Sequence, residues 1–215
     1  MRFVSVSDLH GDFVKIPDGD VLICAGDMTT GHIRNLEYVA DCIHRLPHKH
    51  KILIAGNHDI CISQERVEAL NILRDCGIMY LEDSDTTLHG IHIYGSPWTR
   101  VYGLYPFMLP KDKRKEKWKL IPDRIDILVT HGPPSHILDR NREGEHIGDY
   151  WLRTRIEQVR PDIHIFGHCH EGYGMKDDRG ITYLNVSTHM DVLAGILRPP
   201  IVFDYDKLTG EITVI

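Results

Sequence analysis

The chain has 215 residues, 42% of them hydrophobic, enough for one substantial core and, in the simplest expectation, one domain spanning residues 1–215. A net charge of −6 argues against broad electrostatic binding to nucleic acid or anionic membrane, and no apolar run approaches the roughly 20 residues that span a bilayer. Five cysteines without paired CxxC spacing argue against a disulfide framework and predict free thiols in a reducing, cytoplasmic setting.

In chain order, RFVSVSD (2–8) reads as a short buried strand that starts at Arg2, leaving no room for a cleaved leader, and stops at polar residues. DVLICAGD (20–27) repeats the layout. Ile33, Leu36, Val39, Ala40 and Ile43 recur at helical spacing and predict a helix over 33–46. KILIAGNHD (51–59) is a third strand, and Val67, Leu70, Leu73 and Cys76 predict a helix over 64–76. IHIYGSP (91–97) follows as a strand. Residues 99–124 then break the rhythm with aromatic, proline and basic content, an irregular excursion of a length that is uncommon unless functional or mobile. Its KDKRKEKWK run (111–119) is expected to be a solvated exposed segment, with phosphate-backbone binding as the alternative.

DILVTHG (126–132) and DIHIFGHCH (162–170) are two more strands ending in polar residues, separated by the helical pattern DYWLRTRIEQVRP that stops near Pro161. ITYLNVS (181–187), PPIVFDYD (199–206) and EITVI (211–215) complete the set, the last two joined by a hairpin turn at Thr209 and Gly210. Strands alternating with helices indicate an α/β layered fold.

Ligands of open α/β sheets bind beyond the carboxyl ends of the strands. Here five strand ends deliver Asp8 and His10, Asp27, Asn57 and His58, His131, and His168 and His170. Taken singly, each motif could be a turn or a cap. Together, and leaving His58 aside, four histidines, two aspartates and an asparagine would be costly to bury unpaired. Imidazole, carboxylate and amide oxygen suit Mn, Fe, Zn, Ni or Co better than Ca or Cu(I). Seven candidate ligands exceed one tetrahedral zinc site and suffice for two metals if a carboxylate bridges. Strand alternation is expected to point Asp8 and His10 to one side, with Asp12 a turn or cap residue and Cys169 turned away from the ligands.

The series DLH (8–10), GD (26–27), GNHD (56–59), TH (130–131) and GHCH (167–170) resembles the calcineurin-like metallophosphoesterase family. That resemblance implies a four-layer αββα sandwich. It implies two divalent ions, Mn foremost, one held by Asp8, His10, Asp27 and His170 and the other by Asp27, Asn57, His131 and His168. Asp27 would bridge, and His58 would face the scissile phosphate, assisting a metal-bridged hydroxide. IYGSPWT, LIPDRIDILVTHGPP, FGHCHEGYG and YLNVST look like the MPPED-type branch. In animal members of that branch Gly stands where His168 stands here, so this chain is expected to be the more competent catalyst. GDMTTGH departs from the GDxVDRG of Ser/Thr phosphatases, which leaves the orienting partner of His58 open and argues against a phosphoprotein phosphatase of that branch.

The branch implies small phosphodiesters as substrates, including 2′,3′- and 3′,5′-cyclic nucleotides. A nuclease on single-stranded RNA or DNA, a phosphomonoesterase and a non-catalytic metal-bound scaffold are the alternatives. Trp98 is a candidate base-stacking residue or a core residue, Glu171, Gly172 and Tyr173 are expected at the pocket rim, and Asn185, Ser187 and His189 nearby.

Overall fold

The computed structural model describes residues 1–191 and 195–215. In chain order the elements are β1 (Arg2–Val6), β2 (Val21–Ala25), α1 (Ile33–His44), β3 (His50–Ile54), α2 (Ile60–Gln64), α3 (Arg66–Asp75), β4 (Met79–Tyr80), β5 (Ser84–Leu88), β6 (Ile91–Ser96), β7 (Thr99–Arg100) and β8 (Met108–Leu109). There follow α4 (Lys111–Lys119), β9 (Ile127–Thr130), α5 (Tyr150–Val159), β10 (Ile163–Phe166), β11 (Gly174–Asp178), β12 (Ile181–Asn185), β13 (His189–Asp191), β14 (Ile196–Leu197), β15 (Ile201–Asp206) and β16 (Glu211–Val214).

Two six-stranded sheets, ordered β16-β15-β1-β2-β3-β4 and β11-β12-β10-β9-β6-β5, carry the molecule. β1 to β4 run parallel in the first sheet, and β6, β9, β10 and β12 run parallel in the second. The sequence explains how they stack. Successive strand residues face opposite sides, so Phe3 and Ile23 from one sheet meet Ile93, Val129 and Ile165 from the other in a shared apolar layer. Their neighbours Val4 and Leu22 turn outward onto Leu36, Val39 and Ile43 of α1. Leu128 and Phe166 turn outward onto Trp118, Leu152 and Ile156 of α4 and α5. Strands with both faces covered read as near-continuous apolar runs, as β2 and β9 do, while β1 and β10 each admit one buried polar residue, Ser5 and His164. The arrangement is the expected αββα sandwich.

Two local expectations need correction. The helix over 64–76 is broken at Glu65, and its buried residues are Ala69 and Leu73, whereas Val67 is 78% exposed. KDKRKEKWK is helical and partly buried: Arg114 forms a buried ion pair with Asp149, and Trp118 is in the core. Asp149 also caps α5 by accepting from the N–H groups of Trp151 and Leu152. Lys117 pairs with Asp83 at 2.7 Å, and Lys115 sits 4.1 Å over the Trp151 ring. These tertiary contacts leave little of the run as a free basic strip. No helix among the described residues is long and apolar enough to cross a membrane.

Candidate metal centre

The carboxyl ends of β1, β2 and β3 in one sheet and of β9 and β10 in the other open onto the same spot. The sheets are tied there by a parallel bridge from Ser7 to Ser187, reinforced by Thr188 N–H donating to Ser7 O at 2.8 Å. Donor atoms of Asp8, His10 and His170 lie within 4.8 Å of one another, and so do those of Asp27, His131 and His168. A third trio of His10, Asp27 and His58 links the two. Asn57 joins through Oδ1, 3.2 Å from His131 Nε2, which is itself 3.2 Å from Asp27 Oδ2. All eight sequence-predicted site residues are therefore brought together.

Strand alternation is not what aims Asp8 and His10. β1 ends at Val6, and both residues adopt left-handed backbone, with φ of 56° and 49°. Asp27 (φ 52°) and His168 (φ 67°) do the same. Such conformations cost on the order of 1–3 kcal/mol each outside glycine and persist where the surroundings over-determine them. Here backbone bonds from Asp8 N to Gly26 O and from His10 N to Asp27 O lock the two loops in register. The glycines of the motifs serve close approach. A Cβ on Gly56 would stand 2.2 Å from Asp27 Oδ1, and one on Gly167 2.4 Å from Asp8 Oδ2.

Asp8 is fully buried. Its Oδ2 accepts from Ser7 Oγ at 2.6 Å and from His168 N–H at 2.9 Å, while Oδ1 lies 3.4 Å from His170 Nε2 and has no hydrogen-bond partner among the described residues. Burial opposes ionisation of Asp8, but the His170 contact and neighbouring imidazoles outweigh it and hold the carboxyl well below its usual range. Asp27 is likewise lowered: burial works against it and the attraction of His131 wins. In return His131, despite burial, rises to about 9 beside Asp27, and burial plus the His131 charge push His168 down to about 4. The buried Asp27 carboxylate, 3.2 Å from His131 Nε2, marks where positive charge is stabilised. A cation would be held there by the same carboxylate. An orphaned buried carboxylate oxygen within an imidazole, carboxylate and amide donor set fits a divalent transition metal.

Asp59 is a structural anchor rather than a His58 partner. It is buried, its Oδ2 accepts from Gly56 N–H, and burial together with the Asp27 charge pushes its carboxyl up to about 6. No carboxylate among the described residues lies within hydrogen-bonding distance of the His58 ring. That ring packs edge-on to His10 at 4.9 Å and against Tyr105 at 4.8 Å, while His58 N–H donates to Asp27 Oδ1 at 2.6 Å.

The cluster floors a cavity of about 810 Å³ whose further walls include Arg100, Tyr102, Asn141, Glu145 and Glu171. Trp98 does not line it. Its indole N–H donates to Asp83 and its ring packs on Phe107 and under Lys117, so the base-stacking assignment falls. Of the expected rim residues only Glu171 lines the cavity; Gly172 packs on Leu138 O, and the Tyr173 hydroxyl donates to Pro199 O. Asn185 is buried and donates to Cys169 O and Leu138 O, holding the chain behind His170. His189 is buried, 5.6 Å from the His10 ring, with Nε2 3.2 Å from Asp12 Oδ2. Asp12 is a turn residue, as expected, its N–H donating to Leu9 O. Cys169 Sγ donates to Arg140 O, and all five cysteines are free. Sequence reasoning missed Tyr102 and Tyr105. Their only signal is a pair of aromatics in an otherwise unpatterned loop.

The model of the calcineurin-like phosphoesterase family matches residues 1–172. Metallophosphoesterase domain-containing protein 1 of Homo sapiens is 38% identical over 94% of this chain and 70% of its own. A UPF0046 protein of Caenorhabditis elegans is 36% identical over 98% of this chain and 83% of its own. Among solved structures, the phosphopantetheinyl hydrolase PptH of Mycobacterium tuberculosis superposes with a TM-score of 0.60 at 15% identity, covering 86% of this chain and 88% of that one, a likeness of fold.

Proposed function

Because the chain belongs to the calcineurin-like phosphoesterase family and is a metal-dependent phosphoesterase, we propose that it hydrolyses small phosphodiesters, cyclic nucleotides foremost, with two divalent ions. The observation that carries this is the position of Asp27, whose carboxylate belongs to the His131–His168 trio and also to the trio with His10 and His58. Asp8, His10, Asp27 and His170 would hold one ion, and Asp27, Asn57, His131 and His168 the other, with Mn the first choice. When bound, the ions supply Lewis acidity and an activated water.

The protein's own groups do the rest. Asp8 and Asp27 stay ionised and so keep two carboxylates ready to ligate before the centre is loaded. The His58 N–H bond to Asp27 fixes the backbone of the catalytic loop and leaves the His58 ring on the cavity wall. There it can donate a proton to the leaving oxygen or stabilise its charge. Tyr102, Asn141 and Glu145 supply apolar and polar wall beyond the reacting centre, room suited to a nucleoside-sized group.

The test is a panel of bis-p-nitrophenyl phosphate, p-nitrophenyl phosphate, cyclic nucleotides and short RNA with Mn²⁺-loaded protein. Preference for the small diesters supports the reading. Preference for the monoester or for RNA overturns the substrate class, and no hydrolysis at full occupancy overturns catalysis.

A further inference from the structure

We propose that Tyr102 is a positioning residue that holds the Asn57 carboxamide in its ligating orientation and so couples the cavity loop to the metal centre. The inference rests on the reading of Asn57 as a metal ligand. Asn57 is completely buried, so the amide cannot trade partners with bulk water. Its Nδ2 donates to the Tyr102 hydroxyl at 2.9 Å, and its Oδ1 faces His131 Nε2 at 3.2 Å. With the N–H side engaged, the oxygen is the edge turned to the imidazole cluster. Rotation of the amide by half a turn would aim a donor at the cation position, which a metal cannot accept.

Tyr102 reaches Asn57 from outside the five motifs. It stands in the loop between β7 and β8, closed at its base by Thr99 N–H donating to Phe107 O at 2.9 Å. Its ring lies 5.5 Å from that of His168, yet the residue is 58% exposed and lines the cavity. One side chain thus touches a proposed ligand through its hydroxyl, a second ligand through its ring and the substrate space through its free face. Hydrogen-bond partners behind metal ligands typically contribute 10–100-fold to metal affinity or activity.

Calorimetric titration of metal-free protein with Mn²⁺ tests this, alongside thermal unfolding of the metal-free forms. In Tyr102→Phe, which keeps the ring, one of two binding steps should weaken about 10-fold with the other step unchanged, and the metal-free Tm should fall only by the small shift that one lost buried hydrogen bond causes. Activity should fall at limiting Mn²⁺ and recover at saturation. Tyr105→Phe, which removes a hydroxyl from the same loop without touching Asn57, should leave both steps in place. Wild-type affinities in Tyr102→Phe would overturn the proposal, as would a parallel loss of both steps and of metal-free Tm. If Asn57→Ala weakens one step and Tyr102→Phe none, only the Tyr102 role falls. If Asn57→Ala changes neither step, the ligand reading of Asn57 falls and takes the inference with it.

Discussion

Asp59 holds Thr29 twice: one carboxylate oxygen accepts from both the Thr29 N–H and the Thr29 Oγ1, each at 2.9 Å. The other oxygen accepts from Gly56 N–H at 2.8 Å, so a single buried side chain ties the loop after β2 to the loop after β3. Asp27 and Asn57 ride on those two loops. Asp59→Ala strips three buried bonds and is expected to destabilise the metal-free protein by about 2–4 kcal/mol, read by urea unfolding. Asp59→Asn should fall between, since it keeps the Thr29 acceptor but opposes a donor to Gly56 N–H. Equal stability of all three proteins would contradict the tie.

His58 and Asp27 should separate catalysis from metal retention. His58→Ala is expected to reduce turnover by about 10²–10⁴-fold while metal content stays near wild type. Asp27→Asn should release both ions together. Elemental analysis after gel filtration, paired with rate measurements, decides between a catalytic His58 and a ligating one.

Asp8 is expected to support both the metal-free fold and metal binding. Its carboxylate is fully buried with Oδ1 unpartnered, a costly state that a cation relieves. Mn²⁺ at 100 times its Kd should add about 2.7 kcal/mol per site to the wild type, and a chelator should remove it. Asp8→Asn should unfold earlier than wild type when metal-free, because His170 and its neighbours hold the carboxylate ionised in the fold, and should gain far less from Mn²⁺. A metal-induced Tm rise as large in Asp8→Asn as in the wild type would refute the ligand assignment.

His164 should give the protein an acid-sensitive margin. The ring is fully buried, its Nε2 2.8 Å from Thr130 Oγ1, and burial with the nearby Arg153 charge depresses it from 6.5 to about 3. The unfolded chain therefore takes up a proton on this ring at a pH where the folded chain does not. The stability it protects is complete above pH 6.5 and is lost as the pH falls toward 3, about 2 kcal/mol by pH 5. His164→Gln, which cannot titrate, should flatten the fall of metal-free Tm between pH 7 and 5. An unchanged slope would show that the ring is not a source of acid lability.

Arg114 and Asp149 predict a pattern of loss and rescue. Both side chains are buried, and Asp149 caps α5 while pairing with Arg114 of α4. Arg114→Met leaves a buried carboxylate without its cation and should cost about 3–5 kcal/mol. Adding Asp149→Asn removes that charge and keeps an amide oxygen as cap, so the double variant should regain a good part of the loss in urea unfolding. A double variant no more stable than Arg114→Met alone would count against the pair.

The α/β class, the nine principal strands and the eight clustered site residues were legible in the sequence because each rests on local pattern. Strands covered on both faces read as near-continuous apolar runs, and so many imidazoles and carboxylates at their ends would be costly to bury without a shared partner. What only the tertiary structure decided depends on partners far away in sequence. The basic run is helical and half-buried because Asp83, Asp149 and Trp151 wait for it. Trp98 is tied to Asp83, and the cavity's aromatic wall comes from Tyr102 instead. Asp8 and His10 converge through left-handed backbone that no alternation rule foresees, held by bonds to the neighbouring loop. Pattern specifies which faces are buried. Which distant side chain meets a given polar group is set only when two sheets close over each other.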